Sequence, residues 1–149
     1  MPPTPAPPAC TCGRLRRAAR ALTQLYDDLM APSGLRVTQF SLLRTLAREG
    51  GSRMSALAEA LLLDRTALSR TLDPLVERGL VAIVPGHDGR TREVSLTRAG
   101  ERAIHVASPY WKRAQAQVIA RLGAGKIDAL VATLRELEAL HPDPGGLDR

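Results

Sequence analysis

The spacing of apolar residues changes along the chain, and this change limits the folds available to it. Up to Gly79, and again after Thr97, apolar residues recur at steps of three and four, the spacing of amphipathic helices. Between Leu80 and Leu96 they alternate, as they do in a half-buried pair of strands. The sequence therefore predicts a mainly α fold with a small β-hairpin.

Four helices are predicted before the hairpin, at residues 12–30, about 38–50, from 52–55 to 61, and 65–78. Pro32 and Gly34 end the first helix, because proline cannot continue the hydrogen-bond ladder and glycine accepts a left-handed conformation. Thr38 and Asp64 are the predicted N-caps of the second and fourth helices. The inward stripe of the fourth helix is predicted to comprise Leu68, Leu72, Leu75 and Val76.

The hairpin and two long helices complete the predicted element order. Val81, Ile83, Val94 and Leu96 give the alternation of a two-stranded ribbon, and residues 85–89 supply the turn. We expect a helix from 98 to about 122, capped by Thr97, and a last helix from about 126 to 140. This order predicts a winged helix-turn-helix with helical flanks.

The composition suggests the core material and the kind of partner. Aromatic residues make up 3% of the 149 residues, so the core has to be built from Leu, Ala, Val and Ile. A formal net charge of +6 favours a polyanionic partner, because arginines and lysines displace the counterions condensed on a phosphate backbone.

The sequence lacks the features that are typical of several other classes of protein. No stretch of about 18 apolar residues is present, so no membrane-spanning helix is predicted. Residues 1–9 lack the basic and apolar segments of a secretory signal, and two cysteines cannot build a disulfide scaffold. The motifs G-x-S-x-G and H-E-x-x-H of hydrolases are missing too. We expect a cytoplasmic protein that is not an enzyme and holds no cofactor or metal.

The fourth helix is the predicted reading helix, the one that lies in the major groove of duplex DNA. A short helix followed closely by a second one allows this geometry, since the groove is about 12 Å wide. The polar and small residues of its N-terminal half face away from the apolar stripe. The candidate DNA contacts on this helix are Arg65, Thr66, Ala67, Ser69 and Arg70.

The tip of the hairpin is the second candidate DNA contact. Arg90 and Arg92 stand on a turn flanked by glycine, which can deliver a guanidinium to a narrow minor groove. Asp88 lies two residues before Arg90. We expect its carboxylate to hold the direction of the Arg90 side chain through charge-assisted hydrogen bonds.

One motif of the hairpin and the following helix is characteristic of a family. It consists of Asp88-Gly89-Arg90 and, further on, Leu96-Thr97 with Gly100. This run resembles the D-x-R, L-T-x-x-G wing signature of MarR-type regulators, and residues 57–81 are similar to their helix-turn-helix and its exit. The resemblance spans about residues 12–140.

The resemblance implies a DNA-binding transcriptional regulator, by family default a repressor. It further implies a homodimer held by the first and last two helices, an operator of inverted half-sites in double-stranded DNA, and a small aromatic ligand that weakens DNA binding. Two residues depart from the family pattern. Leu62 stands where a glycine is common, and Pro74 lies inside the reading helix.

These observations divide the chain into functional regions. Residues 36–97 form the predicted DNA-binding part, here called the reading unit. Residues 12–35 and 98–141 form the predicted dimerisation region, because their apolar stripes need a partner surface. Residues 1–11, rich in proline, and residues 142–149 are expected to be disordered.

Three further hypotheses remain open from the sequence. Tyr26, Phe40, Tyr110 and Trp111 form a candidate effector pocket, although core packing explains them equally well. Cys10 and Cys12 could form a redox sensor, because the positive end of a helix and nearby arginines favour a thiolate. Finally, a winged helix can bind another protein through the same surfaces instead of DNA.

Overall fold

The computed structural model describes residues 9–142 and has six α-helices and three strands in that range. The helices are α1 (Thr11–Met30), α2 (Val37–Glu49), α3 (Met54–Ala60), α4 (Arg65–Glu77), α5 (Arg98–Leu122) and α6 (Ala124–Glu138). The strands are β1 (Ser52–Arg53), β2 (Val81–Pro85) and β3 (Arg92–Leu96). The predicted fold class, mainly α with a small β wing, is confirmed.

The turn between α1 and α2 is held by hydrogen bonds to both helices. A short 3-10 turn, Ala31–Ser33, ends at Gly34, which adopts φ +76°. Asp27 of α1 accepts a hydrogen bond from the backbone N–H of Val37 at 2.8 Å. The prediction that Thr38 caps α2 is wrong, because Arg36 is the N-cap and its N–H donates to Gln39 at 3.1 Å.

The helix-turn-helix lies where the sequence predicts it. Asp64 caps α4, and its side chain accepts a hydrogen bond from the N–H of Ala67 at 2.7 Å. Leu62, in the turn before it, adopts φ +52°, a left-handed conformation that disfavours any residue with a Cβ atom. Val76 is 38% exposed and so does not belong to the buried stripe, which consists of Leu68, Leu72 and Leu75.

The hairpin belongs to a sheet of three antiparallel strands in the order β1-β3-β2. Val81 pairs with Leu96 and Ile83 with Val94, as the alternation predicts. The prediction of only two strands was incomplete, however, because β1 also pairs with β3 and places Ser52 opposite Val94. The third strand covers an edge that would otherwise be free, and it ties the wing to the start of α3.

The core lies mainly within the reading unit. It is built largely from leucines of α2 and α4, with contributions from the wing strands. The start of α5 packs closely on this core, since a Cβ atom on Gly100 would lie 2.2 Å from the carbonyl oxygen of Leu80. Glycine at position 100 therefore permits the contact between α5 and the exit of α4.

The flanking helices α1, α5 and α6 contribute much less to this core. Thr97 caps α5, and its side chain accepts a hydrogen bond from the N–H of Gly100. Within the described range, α6 contains no buried side chain. None of the described helices is long and apolar enough to cross a membrane.

The predicted disordered segments fall largely outside the described residues. Residues 1–8 of the predicted arm and residues 143–149 of the predicted tail are not among the described residues. The predicted arm, residues 1–11, extends too far toward the first helix, because Thr11 is already helical and Cys10 is the N-cap of α1.

Candidate nucleic-acid interface

The N-terminal half of the reading helix α4 presents its candidate contacts to solvent. Arg65, Thr66 and Arg70 are exposed, whereas Ala67 and Ser69 are half-buried. Within residues 9–142, the guanidinium groups of Arg65 and Arg70 form no ion pair or hydrogen bond with another side chain. These cations are therefore available to an external anion.

The two ends of the reading helix differ in charge. Its N-terminus carries Arg65 and the positive end of the helix dipole, which favour a phosphate, and the Asp64 carboxylate, which caps the N–H of Ala67 and offsets part of that charge. Asp73 and Glu77, in the C-terminal half, are exposed carboxylates, which a phosphate backbone would repel. The charge distribution favours entry of the helix into a groove by its N-terminal end.

The tip of the wing is shaped by one carboxylate. Asp88 Oδ1 accepts hydrogen bonds from the N–H of Arg90 at 3.0 Å, the N–H of Thr91 at 3.0 Å and the hydroxyl of Thr91 at 2.9 Å. Gly89, at φ +68°, makes the left-handed turn between them. The expectation that Asp88 holds the Arg90 guanidinium is wrong, because its carboxylate binds the backbone of the turn instead.

This arrangement also changes the acidity of Asp88. The N–H groups of Thr91 and then of Arg90 stabilise the carboxylate and hold its pKa below the ordinary value, with Arg53 adding a favourable charge. A lowered pKa means that these hydrogen bonds stabilise the turn at neutral pH. They are lost only as the pH falls through that lowered pKa.

The sheet of the wing carries one arginine more than the two that were predicted from the sequence. Arg90 and Arg92 are both exposed, as predicted. Arg53, on the added strand β1, is exposed too, and its positive charge helps to lower the pKa of Asp88. Arg53 was missed because a two-residue strand has no periodicity that could place it beside the wing.

Comparison with known proteins identifies the family of this fold. A model described as MarR family matches residues 33–91. The M. tuberculosis transcriptional regulator MosR, in complex with DNA, is 38% identical, with 89% of this chain and 99% of that chain covered and a TM-score of 0.78. The chain belongs to the MarR family. It is a DNA-binding transcriptional regulator.

Two other solved MarR-type structures have the same fold. The transcriptional repressor CouR, bound to a 23-mer DNA duplex, is 25% identical, with coverage of 87% of this chain and 92% of that chain and a TM-score of 0.78. Bordetella bronchiseptica BpsR, whose DNA binding is regulated by 6-hydroxynicotinic acid, is 21% identical, with 90% and 99% covered and a TM-score of 0.77. At that identity, BpsR supports the fold alone.

The four aromatic residues of the candidate effector pocket are not equivalent in this MarR fold. Phe40 is 1% exposed, and its ring lies 5.9 Å from that of Trp111. The guanidinium of Arg44 covers both rings, at 4.7 Å from Trp111 and 5.6 Å from Phe40. Core packing therefore accounts for Phe40, while Arg44 and Trp111 lie at the margin.

The tyrosines of this set make separate contacts. The hydroxyl of Tyr26 on α1 is hydrogen-bonded to Gln115 on α5, and burial raises the pKa of Tyr26. Tyr110 has the guanidinium of Arg113 over its ring at 5.7 Å. The effector pocket stays a prediction.

The two cysteines lie at the start of α1, and both are free and exposed. Cys10 is the N-cap, and its sulfur accepts a hydrogen bond from the N–H of Gly13 at 3.4 Å. Cys12 belongs to the first turn. Among the described residues, no group of His, Cys, Asp and Glu has an arrangement that could hold a metal ion.

Proposed function

We propose that this MarR-family regulator acts in the cytoplasm as a homodimer that binds an inverted-repeat operator. Each protomer inserts α4 into the major groove and the arginine-tipped wing into the adjacent minor groove. The observation that carries the proposal is the wing tip, where Asp88 fixes the turn and leaves Arg90 exposed.

The dimer is supported by the apolar surface of the flanking helices. Large apolar side chains of α1, α5 and α6 are left in contact with water in one protomer. They are Leu15, Leu22, Val106, Ile119, Leu122, Leu130 and Val131. Packing against a second copy would bury them, and two-fold symmetry would then set the reading helices about 34 Å apart, as two half-sites require.

The candidate contacts divide by what each can recognise. Arg70, with Thr66 and Ser69 beside it, is the candidate for base edges, because it lies on the exposed face of the helix. Arg65 is suited to a phosphate at the helix N-terminus. Arg90 enters the minor groove in this proposal.

The remaining wing residues have supporting roles. Arg92 and Arg53, which pairs with Glu93 in the sheet, bind the DNA backbone, while Asp88 shapes the turn that carries Arg90. Backbone contacts of this kind set position and affinity without reading sequence.

Selection of operators from random duplex DNA at two salt concentrations tests the proposal. We expect an inverted repeat to be enriched and log K to fall steeply with log salt, because each neutralised phosphate releases counterions. Enrichment of no sequence, together with affinity independent of salt, would contradict DNA binding and favour the protein-interaction module.

We expect a small aromatic ligand to bind at the margin of the aromatic set, beside Arg44 and Trp111. Arg44 lies over Trp111 and supplies a cation for an aromatic acid. We expect such a ligand to release the operator, and titration with simple aromatic carboxylates, monitored by operator binding and by tryptophan fluorescence, tests this. Fluorescence unchanged throughout the series would argue for core packing alone.

A thiol switch is the second candidate, favoured by the place of Cys10 as the cap of α1. A peroxide would oxidise one thiol to a sulfenic acid with release of water, and the other thiol would then condense with it to a disulfide, releasing a second water. Loss of the cap would disturb the helix that supports the dimer. Operator binding before and after peroxide, with Cys10→Ser and Cys12→Ser as controls, tests this function.

A further inference from the structure

The exit of the reading helix makes contacts that its entry does not. The N-terminus of α4 is capped locally, by Asp64 on the N–H of Ala67. At the other end, Arg78 reaches across 44 positions of sequence, and its Nη1 donates to the carbonyl oxygen of Gly34 at 2.9 Å. The helix is therefore anchored to the flanking region at the end that does not enter the groove.

The receiving turn is itself fixed to α1. Gly34 caps the 3-10 turn, and its N–H donates to Ala31 at 3.1 Å. The hydroxyl of Ser33 donates to the carbonyl oxygen of Met30 and accepts from the N–H of Leu35. A Cβ atom on Gly34 would lie 3.5 Å from Nη2 of Arg78, so the guanidinium rests against the turn.

A second anchor holds the same exit to α5. The hydroxyl of Thr97 donates to the carbonyl oxygen of Gly79 at 2.6 Å, and its N–H donates to that of Leu80 at 3.1 Å. The residues that follow α4 are therefore tied to α5 on one side and, through Arg78, to the end of α1 on the other. Without Arg78, α4 would keep its buried leucines and the anchor to α5, but it would lose its hydrogen bond to the turn after α1.

We propose that Arg78 is a positioning residue for DNA binding, whose bond to the carbonyl of Gly34 sets the angle of the reading helix relative to α1. This inference rests on the proposed two-fold docking. In a dimer held by the flanking helices, that angle determines the distance and the rotation between the two reading helices. Arg78 thus controls which half-site spacing the protein accepts, without contacting DNA.

The test is the dependence of affinity on half-site spacing. Duplexes carrying the selected operator are made with the central spacing unchanged and with one base pair added or removed, which rotates one half-site by about a tenth of a turn. Wild-type protein should show a sharp optimum. Arg78→Ala should weaken binding at the optimum by up to about tenfold, because the bond fixes the orientation of α4 before binding and its own free energy limits the effect, and it should reduce the preference for that spacing at least threefold.

Two variants control this measurement. Arg48→Ala removes the same charge from an exposed arginine whose ion partner, Glu49, is its neighbour in sequence, and it should keep the wild-type spacing profile. Arg78→Lys keeps a donor and should recover much of the preference. Thermal unfolding of each variant shows that the assay temperature lies below the transition.

The outcomes separate this inference from the proposed function. A sharp optimum in the wild type that is retained by Arg78→Ala overturns the positioning role alone. A uniform loss over all duplexes, non-specific DNA included, also overturns it and assigns Arg78 to a phosphate. Lack of any optimum in the wild type overturns both the two-fold docking and the role of Arg78.

Discussion

The reading unit and the flanking helices differ in how far their apolar residues are buried. In the reading unit, α2 buries Phe40, Leu42, Leu43 and Leu46 within its own chain. By contrast, α6 has an equally regular apolar stripe, yet Leu130 and Val131 are 40% and 42% exposed. The two helices have similar sequence patterns, but α2 buries its stripe and α6 has no buried residue in one protomer.

This difference shows which part of the molecule one chain can complete. A helix whose apolar face stays in contact with water gains little from folding, since the stabilisation comes from area removed from water. The reading unit removes that area internally, whereas the flanking helices leave part of it for a partner surface. In the proposed dimer, a second copy covers this surface and joins two separate DNA contacts into one recognition surface.

The largest expected effect comes from the core of the reading unit. Leu72 is 0% exposed, and Leu72→Ala should lower the free energy of unfolding by about 3 kcal/mol because it leaves a cavity. Leu130→Ala is the matched change in α6, and its cost should depend on protein concentration. Denaturant unfolding at several protein concentrations distinguishes the two variants. If both lost the same free energy of unfolding at every protein concentration, the contrast between the two regions would not hold.

The next effect concerns assembly. Replacing Leu130 and Val131 together by glutamate should produce a monomer that retains the helical circular dichroism of the reading unit. Operator affinity should fall by about a hundredfold, since a single protomer contacts one half-site only. Sedimentation velocity and operator titration check both parts, and a dimer that survives the double change would place the interface elsewhere.

A smaller effect is expected at the wing. Arg90→Ala should weaken operator binding by about 1–3 kcal/mol without lowering the unfolding temperature, because Arg90 is exposed and its guanidinium forms no ion pair within residues 9–142. Arg48→Ala removes the same charge away from the wing and serves as control. Equal losses in both variants would reduce the role of Arg90 to net charge.

The smallest effect should be a gain. Leu62 adopts φ +52°, so Leu62→Gly should raise the free energy of unfolding by about 0.5–1 kcal/mol by relieving backbone strain. Ala56→Gly, on an exposed position of α3, should lower it by about 1 kcal/mol instead. Thermal unfolding measures both, and a loss of stability at position 62 would contradict the strain.

Most of the fold followed from local signals in the sequence. Asp64 and Thr97 cap their helices as predicted, because a capping side chain acts within three residues of itself. The alternation along β2 and β3 was predicted too, and the four apolar residues that it picked out form two cross-strand pairs. Leu62, singled out as a departure from the family pattern, takes the left-handed conformation that a glycine would adopt without strain.

The features that sequence reasoning missed depend on tertiary contacts. Strand β1 exists through its pairing with β3, and its two residues carry no pattern of their own. The bond from Arg78 to Gly34 joins positions far apart in sequence. The acceptor role of Asp88 was misjudged because backbone N–H groups of a tight turn lie nearer to its carboxylate than a flexible guanidinium does.

The stoichiometry of the operator complex tests the central claim most directly. Sedimentation equilibrium of the protein alone, and of the protein with a selected operator, gives the number of protomers in each species. We expect a dimer in both, with two protomers on one duplex and one on each half-site. A monomer that binds the operator singly, with full affinity, would contradict it.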